Sequence, residues 1–248
     1  MMSRRRFFVP PDFIRDGIAC LPADQAHHLR DVVRVRAGDA VEIFDGAGNA
    51  YTGEVALRED EVQVRGLRPL PSQETPVRLI LAASLIKSSK FEWVLQKATE
   101  LGVREIVPLR SRRSEIDIPG GRTAKRVERW ERIVQEASRQ CGRSSLPRLH
   151  PPMAADDFFS AEEYSGYTRA LFYERASEAW NPDAGALRNG LVLCVGPEGG
   201  WTEEEVGRAQ DAGYGIYTLG PWILRAETAA IAAVSVAQHR VHLLGILS

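Results

Sequence analysis

LVLCVGPEGGWTEEE, residues 191–205, is an apolar run that breaks into Gly-Pro-Glu-Gly-Gly and then into a helix start. Apolar residues of strand length, followed at once by turn residues, describe a strand buried on both faces, as in the middle of a parallel sheet. Thr202 and Glu205 have capping-box spacing, so the first N–H groups of the next helix face the turn. Gly196, Gly199 and Gly200 strip the turn of side chains and permit positive φ, and Glu198 leaves one carboxylate standing in it. A plain strand-to-helix connection has no use for a Pro and a Glu embedded between glycines, so the turn is read as a ligand site. Phosphate-binding signatures do not fit: there is no G-x-G-x-x-G after a first strand and no Gly-Lys-Ser/Thr.

Outward from this stretch, strand and helix patterns alternate. VRLILAASL predicts a buried strand, and Ser89 to Leu101 a helix with Phe91, Val94, Leu95, Ala98 and Leu101 on one face, stopped by Gly102. Strand REIVPL, a helix from Thr123 to Cys141, strands TRALFY and LVLCV, a helix from Thr202 to Ala212, strand GIYTL and a last helix from Ala226 complete the series. The class is α/β, a mostly parallel sheet covered on both faces. Ligands of such sheets sit at the carboxyl ends of the strands, so the loops after TRALFY, LVLCV and GIYTL are the ones to watch. The last of these opens LGPWILRAETAA, residues 219–230, where Arg225 at a helix start opposes the helix dipole. That misfit favours a carboxylate or phosphate partner for Arg225; the plain alternative is an ion pair with Glu227 or Glu198.

The N-terminal part differs. AVEIFDG, NAYTGEVAL and EVQVRGL, within residues 40–68, alternate like short strands; FFVP predicts another, and Ala23 to Val33 a short helix. PLPSQETP, Pro69 to Pro76, carries three prolines in eight residues and marks a linker.

The net charge of −1 hides a gradient: −2 over residues 1–77, +8 over 78–148 and −7 over 149–248. A basic middle third suggests a polyanionic partner, against the plain alternative of an Arg-rich helix surface. Within it, KSSKFEWVLQKATELG (Lys87–Gly102) and RSRRS (Arg110–Ser114) set cations where a loop and helix edge can follow phosphates. The five histidines lack zinc spacing with Cys or carboxylates, so no metal is expected. Three separated cysteines argue against a disulfide framework. No apolar run is long enough to span a membrane, and MMSRRRFFVPPDF has no signal-peptide core behind its arginines, so a cytoplasmic location is expected.

Taken in order, KSSKFEWVLQKATELGV, VPLRSRRS, RWERIVQEASRQCGRSSLP, LCVGPEGGWTEEE and LGPWILRAETA resemble the ribosomal RNA small subunit methyltransferase E family, of the SPOUT superfamily of S-adenosylmethionine enzymes. RRFFV and HHLRDVVRVRAGD resemble its PUA-like RNA-binding domain. The resemblance implies a PUA-like β-barrel over residues 1–72 and a SPOUT α/β domain with a deep trefoil knot over 73–248. It implies a homodimer whose second subunit completes the active site, and S-adenosylmethionine held by three loops. Those are Phe172, Tyr173 and Glu174; Val195, Gly196, Pro197, Glu198, Gly199 and Gly200; and Leu219, Gly220, Ile223, Leu224 and Arg225, with Thr228 beyond. The activity implied is methylation of N3 of a uridine near the 3′ end of 16S ribosomal RNA, in the 30S subunit. Its chemistry calls for Arg225 to stabilise the uracil anion or bind phosphate, and for Glu198 or Glu227 to orient it or take the proton. Arg5, Arg6, Arg30, Arg34, Arg36, Lys87, Arg110, Arg113, Arg139 and Arg143 are the RNA-contact candidates. The alternatives are a SPOUT enzyme acting on another RNA, a noncatalytic RNA-binding assembly factor, and a nucleotide-dependent α/β enzyme.

Overall fold

The computed structural model describes residues 5–58, 61–71, 77–114, 120–182, 187 and 189–243. Two compact units account for them: one holds the N-terminal strands together with Gln135–Leu146, the other the remaining chain from Val77 onward.

In the first unit, β1 (Arg6–Phe8), β2 (Ile14–Arg15), β3 (Ile18–Cys20), β4 (Ala40–Phe44), β5 (Ala50–Leu57) and β6 (Val62–Leu70) form one sheet in the order β1-β4-β5-β6-β3-β2. Only β1 and β4 pair in parallel; the other pairs are antiparallel. Alternation in β5 and β6 turns Val55, Val62 and Val64 into a core with Phe7, Val41, Ile43 and Leu29. The expected helix over 23–33 divides into α1 (Ala23–His27) and a turn of π-helix (His28–Val33), which ends on Arg34 in the left-handed region, φ 55°. The ladder of β6 continues through Pro69 and Leu70, opposite Tyr51 and Ala50. The linker expected from Pro69 therefore has its first two residues in a strand; residues 72–76 lie outside the described ones.

Gln135–Leu146 belongs to this unit through Arg6, whose guanidinium donates to the Gly142 carbonyl, the Arg143 carbonyl (2.8 Å) and Ser144 Oγ (3.2 Å) and lies over the Phe44 ring. No local pattern in 135–146 announces this, because the tie is made with residues more than 130 positions earlier.

The second unit contains β7 (Leu79–Ser84), α2 (Ser88–Glu100), β8 (Glu105–Arg110), α3 (Gly120–Cys141, ending in the first unit), β9 (Arg148–Leu149), β10 (Met153–Ala154) and α4 (Ala155–Phe159). Then come β11 (Thr168–Phe172), β12 (Leu191–Val195), α5 (Glu203–Asp211), β13 (Gly215–Tyr217) and α6 (Ala226–Leu243). All the described strand pairs here are parallel, in the order β10-β8-β7-β12-β11-β13, with β9 beside β8. β12, the strand of LVLCV, lies between β7 and β11 and is buried on both faces. Leu191, Leu193 and Val195 face a core with α2 and α6, while Val192 and Cys194 face one with α4 and α5. This strand order brings three carboxyl ends together, because β11 runs parallel to β12 on one side and to β13 on the other. Among the described residues no helix is long and apolar enough to cross a membrane.

Candidate functional site

The ends of β11, β12 and β13 meet around a cavity of about 310 Å³. Phe172, Tyr173 and Glu174 leave β11; Val195, Gly196, Pro197, Glu198 and Gly200 leave β12; Leu219, Gly220, Ile223, Leu224 and Arg225 leave β13, and all of them line it. Gly199 and Thr228 do not; Gly199 packs against Arg113, and Thr228 is an exposed residue of α6. Pro221 and Trp222, within the expected loop from Leu219 to Arg225, also line it, and Lys90, Trp201, Thr218, Ala226 and Ala229, not expected there, complete the lining.

Hydrogen bonds hold the three loops in place. Trp201, buried, donates its indole N–H to the Phe172 carbonyl (3.1 Å), which ties the β12 loop to the end of β11. Tyr173 N–H donates to the Tyr217 carbonyl (2.9 Å), joining β11 to β13, and Thr218 Oγ1 donates to the Gly220 carbonyl (2.8 Å). The capping box is present: Glu205 N–H donates to Thr202 Oγ1 (3.2 Å) and Thr202 N–H to Glu205 Oε2 (2.9 Å). Glu205 also accepts from the Arg112 N–H (2.8 Å), fastening the loop after β8 to the start of α5. Gly200 adopts φ +69°, and a Cβ there would come within 2.9 Å of Glu174 Oε1, so this turn needs glycine.

The charges of the cavity are arranged around Lys90, in the first turn of α2. Its ammonium is hydrogen-bonded to Glu198 Oε1 and lies 3.5 Å from Glu227 Oε1. The hydrogen bond to Glu198, with the charge of Glu227, holds the ammonium above the usual lysine range. The other oxygen of Glu227, Oε2, is buried and has no hydrogen-bond partner among the described residues. Both carboxylates thus pair with Lys90, and no ion pair joins either to Arg225 among the described residues. Arg225 is exposed at the cavity wall, beside Trp222 and Ile223, whose side chains are 80% and 84% exposed.

The arginine candidates divide by surroundings. In the first unit, Arg34 and Arg36 are exposed, and Arg5 pairs with Asp39 (2.7 Å). Arg30 donates to the carbonyls of Arg58 (2.9 Å) and Glu61 (3.3 Å), Arg139 pairs with Glu136, and Arg143 donates to Ser145 Oγ (3.1 Å). Arg6 is 3% exposed and directed at the carbonyls of Gly142 and Arg143. In the second unit, Lys87 and Arg110 are exposed, and Arg113 donates to the Gly199 and Trp201 carbonyls (3.1 and 3.4 Å), bracing the cavity turn itself. Among the described residues no group of His, Cys, Asp or Glu is set to hold a metal ion.

Lys90 and Trp201 both fall within the sequence motifs, yet neither is marked there as a cavity residue. KSSKF reads as a phosphate-facing edge, and only the pairing of β7 with β12 brings the start of α2 to the GPEGG turn. A lysine one helical turn into α2 opposes the dipole as Arg225 does, and that is the available signal.

The geometry has counterparts in known proteins. An RNA methyltransferase domain model matches residues 73–238, and an RNA methyltransferase PUA domain model matches 21–65. The ribosomal RNA small subunit methyltransferase E of Synechocystis sp. is 33% identical, over 93% of this chain and 76% of its own; that of Bacillus subtilis is 29% identical, over 90% and 91%. The crystal structure of a ribosomal RNA small subunit methyltransferase E from Neisseria gonorrhoeae, bound to S-adenosyl methionine, is 32% identical and superposes with a TM-score of 0.86, covering 95% of this chain and 97% of that one.

Proposed function

The chain belongs to the ribosomal RNA small subunit methyltransferase E family, and from that premise we propose that it methylates N3 of one uridine near the 3′ end of 16S ribosomal RNA. It is an S-adenosylmethionine-dependent RNA methyltransferase with a PUA-like unit and a SPOUT α/β unit. The observation that carries the reading is the convergence of three strand-end loops, two of them glycine-turned, on a single cavity. The carboxylates of Glu174 and Glu198 line it, with one guanidinium, Arg225, that has no ion pair among the described residues.

The cavity suits the cofactor. Phe172, Val195, Leu219 and Leu224 offer apolar wall, Gly196, Gly200 and Gly220 offer bare main chain, and Glu174 and Glu198 complement a cationic ligand. S-adenosylmethionine, when bound, supplies an electrophilic methyl group on a cationic sulfur. What remains for the protein is to bring uracil N3 into line and to remove its proton. Glu227, outside the cavity lining but adjoining it beside Ala226 and Lys90, is our candidate for the second task, because its buried Oε2 lacks a donor that an imide N–H would provide. Arg225, with no ion-pair partner among the described residues, is placed to stabilise the negative charge left on the uracil oxygens.

The same reading assigns residues 1–72 to RNA binding and 73–248 to catalysis, in a cytoplasmic protein acting on the 30S subunit. Its homodimer is supported by apolar side chains left open on α2 and α6, Trp93 at 42% and Val236 at 37% exposed. Arg34, Arg36, Lys87 and Arg110, all exposed, are its RNA-contact cations.

Incubation with labelled S-adenosylmethionine and small subunits lacking the modification, followed by mass mapping of nucleosides, tests the proposal. Label in 3-methyluridine at one site near the 16S 3′ end is the expected result. Label in another nucleoside would refute the N3 assignment.

A further inference from the structure

The charged groups that line the cavity are Glu174 after β11, Glu198 after β12, Arg225 before α6 and Lys90 on α2; Glu227, in the first turn of α6, is not in the lining and adjoins it through Lys90 and its neighbour Ala226. Lys90 alone reaches across elements: its ammonium touches Glu198 on one side and stands 3.5 Å from Glu227 on the other. Two carboxylates converging on one ammonium repel each other unless that cation stays between them. The arrangement also fixes which oxygens are free. Oε1 of each glutamate faces the ammonium, and Oε2 of Glu227 is left buried with no donor among the described residues. A buried acceptor without a partner is costly, and the cost is relieved when a ligand brings an N–H to it.

We propose that Lys90 is the positioning residue of the transfer: it clamps the Glu198 turn to the start of α6 and turns Glu227 so that Oε2 is presented to the N–H of the substrate base. This rests on the methyl-transfer reading for the identity of the base, but the clamp itself does not. In the step it serves, the base's N–H bond breaks and its proton goes to Glu227 Oε2. The nitrogen lone pair then forms the new N–CH3 bond, while the carbon–sulfur bond of the methyl donor breaks and leaves a neutral thioether. Lys90 keeps its own proton throughout.

K90M, K90R and wild-type protein, all in the full chain, separate the parts. With glutamate carboxyls isotopically labelled and assigned by E198Q and E227Q, and with S-adenosylmethionine bound, their carboxyl NMR resonances at neutral pH read the clamp without RNA. The carboxyl resonances of Glu198 and Glu227 are expected to shift in K90M and return in K90R; resonances unmoved in K90M would overturn the clamp. Single-turnover methylation of small subunits at saturating cofactor is expected to fall about 30- to 100-fold in K90M, with less than about threefold change in cofactor Kd. K90R should recover most of the rate. A loss confined to cofactor Kd, or K90R as slow as K90M, would overturn the positioning role. Resonance shifts as expected, with a wild type that methylates no small-subunit RNA, would leave the clamp standing and refute the substrate reading instead.

Discussion

At the amino ends of the parallel strands, Glu105 of β8 is buried against cations and donors of the fold: Oε1, without a hydrogen bond among the described residues, is ion-paired with Arg78 (2.5 Å), and Oε2 meets His150 (2.8 Å) and the Tyr164 hydroxyl (3.5 Å), with Arg148 4.0 Å away. At the carboxyl ends, Glu227 shares one cation with Glu198, keeps a buried oxygen without a donor, and has near it an arginine with no ion pair among the described residues. The residue types are alike, yet one cluster is closed and the other is left open. In the closed cluster each oxygen of Glu105 is held by the fold, Oε1 by the Arg78 charge and Oε2 by hydrogen bonds, whereas in the open one Arg225 has no ion pair among the described residues and one cation serves two carboxylates. The expectation is a double dissociation: variants at the amino end lower the melting temperature and spare turnover, and variants at the carboxyl end do the reverse.

The largest effects test the open end. E227Q and R225A should each lower the single-turnover methylation rate about 10²- to 10³-fold, the range for losing a proton acceptor or an anion stabiliser. Neither should lower the melting temperature by more than about 3 °C, since neither removes a satisfied buried pair. A variant that melted early while turning over normally would place Glu227 or Arg225 among the structural charges.

E105Q tests the closed end. Removing the charge between Arg78 and His150 should cost about 2–4 kcal/mol of folding stability, read as a drop of several degrees in melting temperature. Below that temperature, methylation should stay within about threefold of wild type. A turnover loss without a melting shift would show that the amino end takes part in the chemistry.

Gly200 lies where fold and site coincide, and there both readouts should move, though less. With φ at +69°, G200A incurs roughly 1–2 kcal/mol of backbone strain and displaces the Glu174 carboxylate, which a Cβ would approach to 2.9 Å. Cofactor Kd, measured by calorimetry, should rise about three- to tenfold, with a melting shift of a few degrees. An unchanged Kd would show that the β12 turn is scaffold and not a wall of the site.

Much of the open end is legible in the sequence, and the closed end is not, for the same physical reason. Strand-end turns bear local marks: GPEGG breaks an apolar run, Thr202 and Glu205 cap, and Arg225 opposes a helix dipole, all within a few residues. The class of the second unit follows from the alternation around them, and β7, β8, β11 and β12 fall where VRLILAASL, REIVPL, TRALFY and LVLCV predict. Residues that act through strand order leave no such mark. Lys90 meets Glu198 only because β12 inserts beside β7, and Glu105 meets His150 only because β9 aligns with β8. Arg6 counts as an RNA contact by its charge alone, and at that separation nothing local points to its partners Gly142 to Ser144.

The smallest effect separates charge from packing at the closed end. The hydrogen bond from His150, then the charge and hydrogen bond of Arg78, hold the Glu105 carboxyl below the usual glutamate range, against the upward push of burial. A carboxyl with its pKa lowered by folding contributes stability that is fully present above its unfolded value of about 4.3 and is lost as pH falls through the lowered folded value. The gap in melting temperature between wild type and E105Q should therefore be widest from about pH 6 to 7 and narrow as pH falls below the unfolded value of about 4.3 toward the lowered folded one. A gap constant across that range would mean that Glu105 contributes shape and neutral hydrogen bonds, not charge. The contrast between the two ends of the sheet would then rest on Arg225 and the shared Lys90 alone.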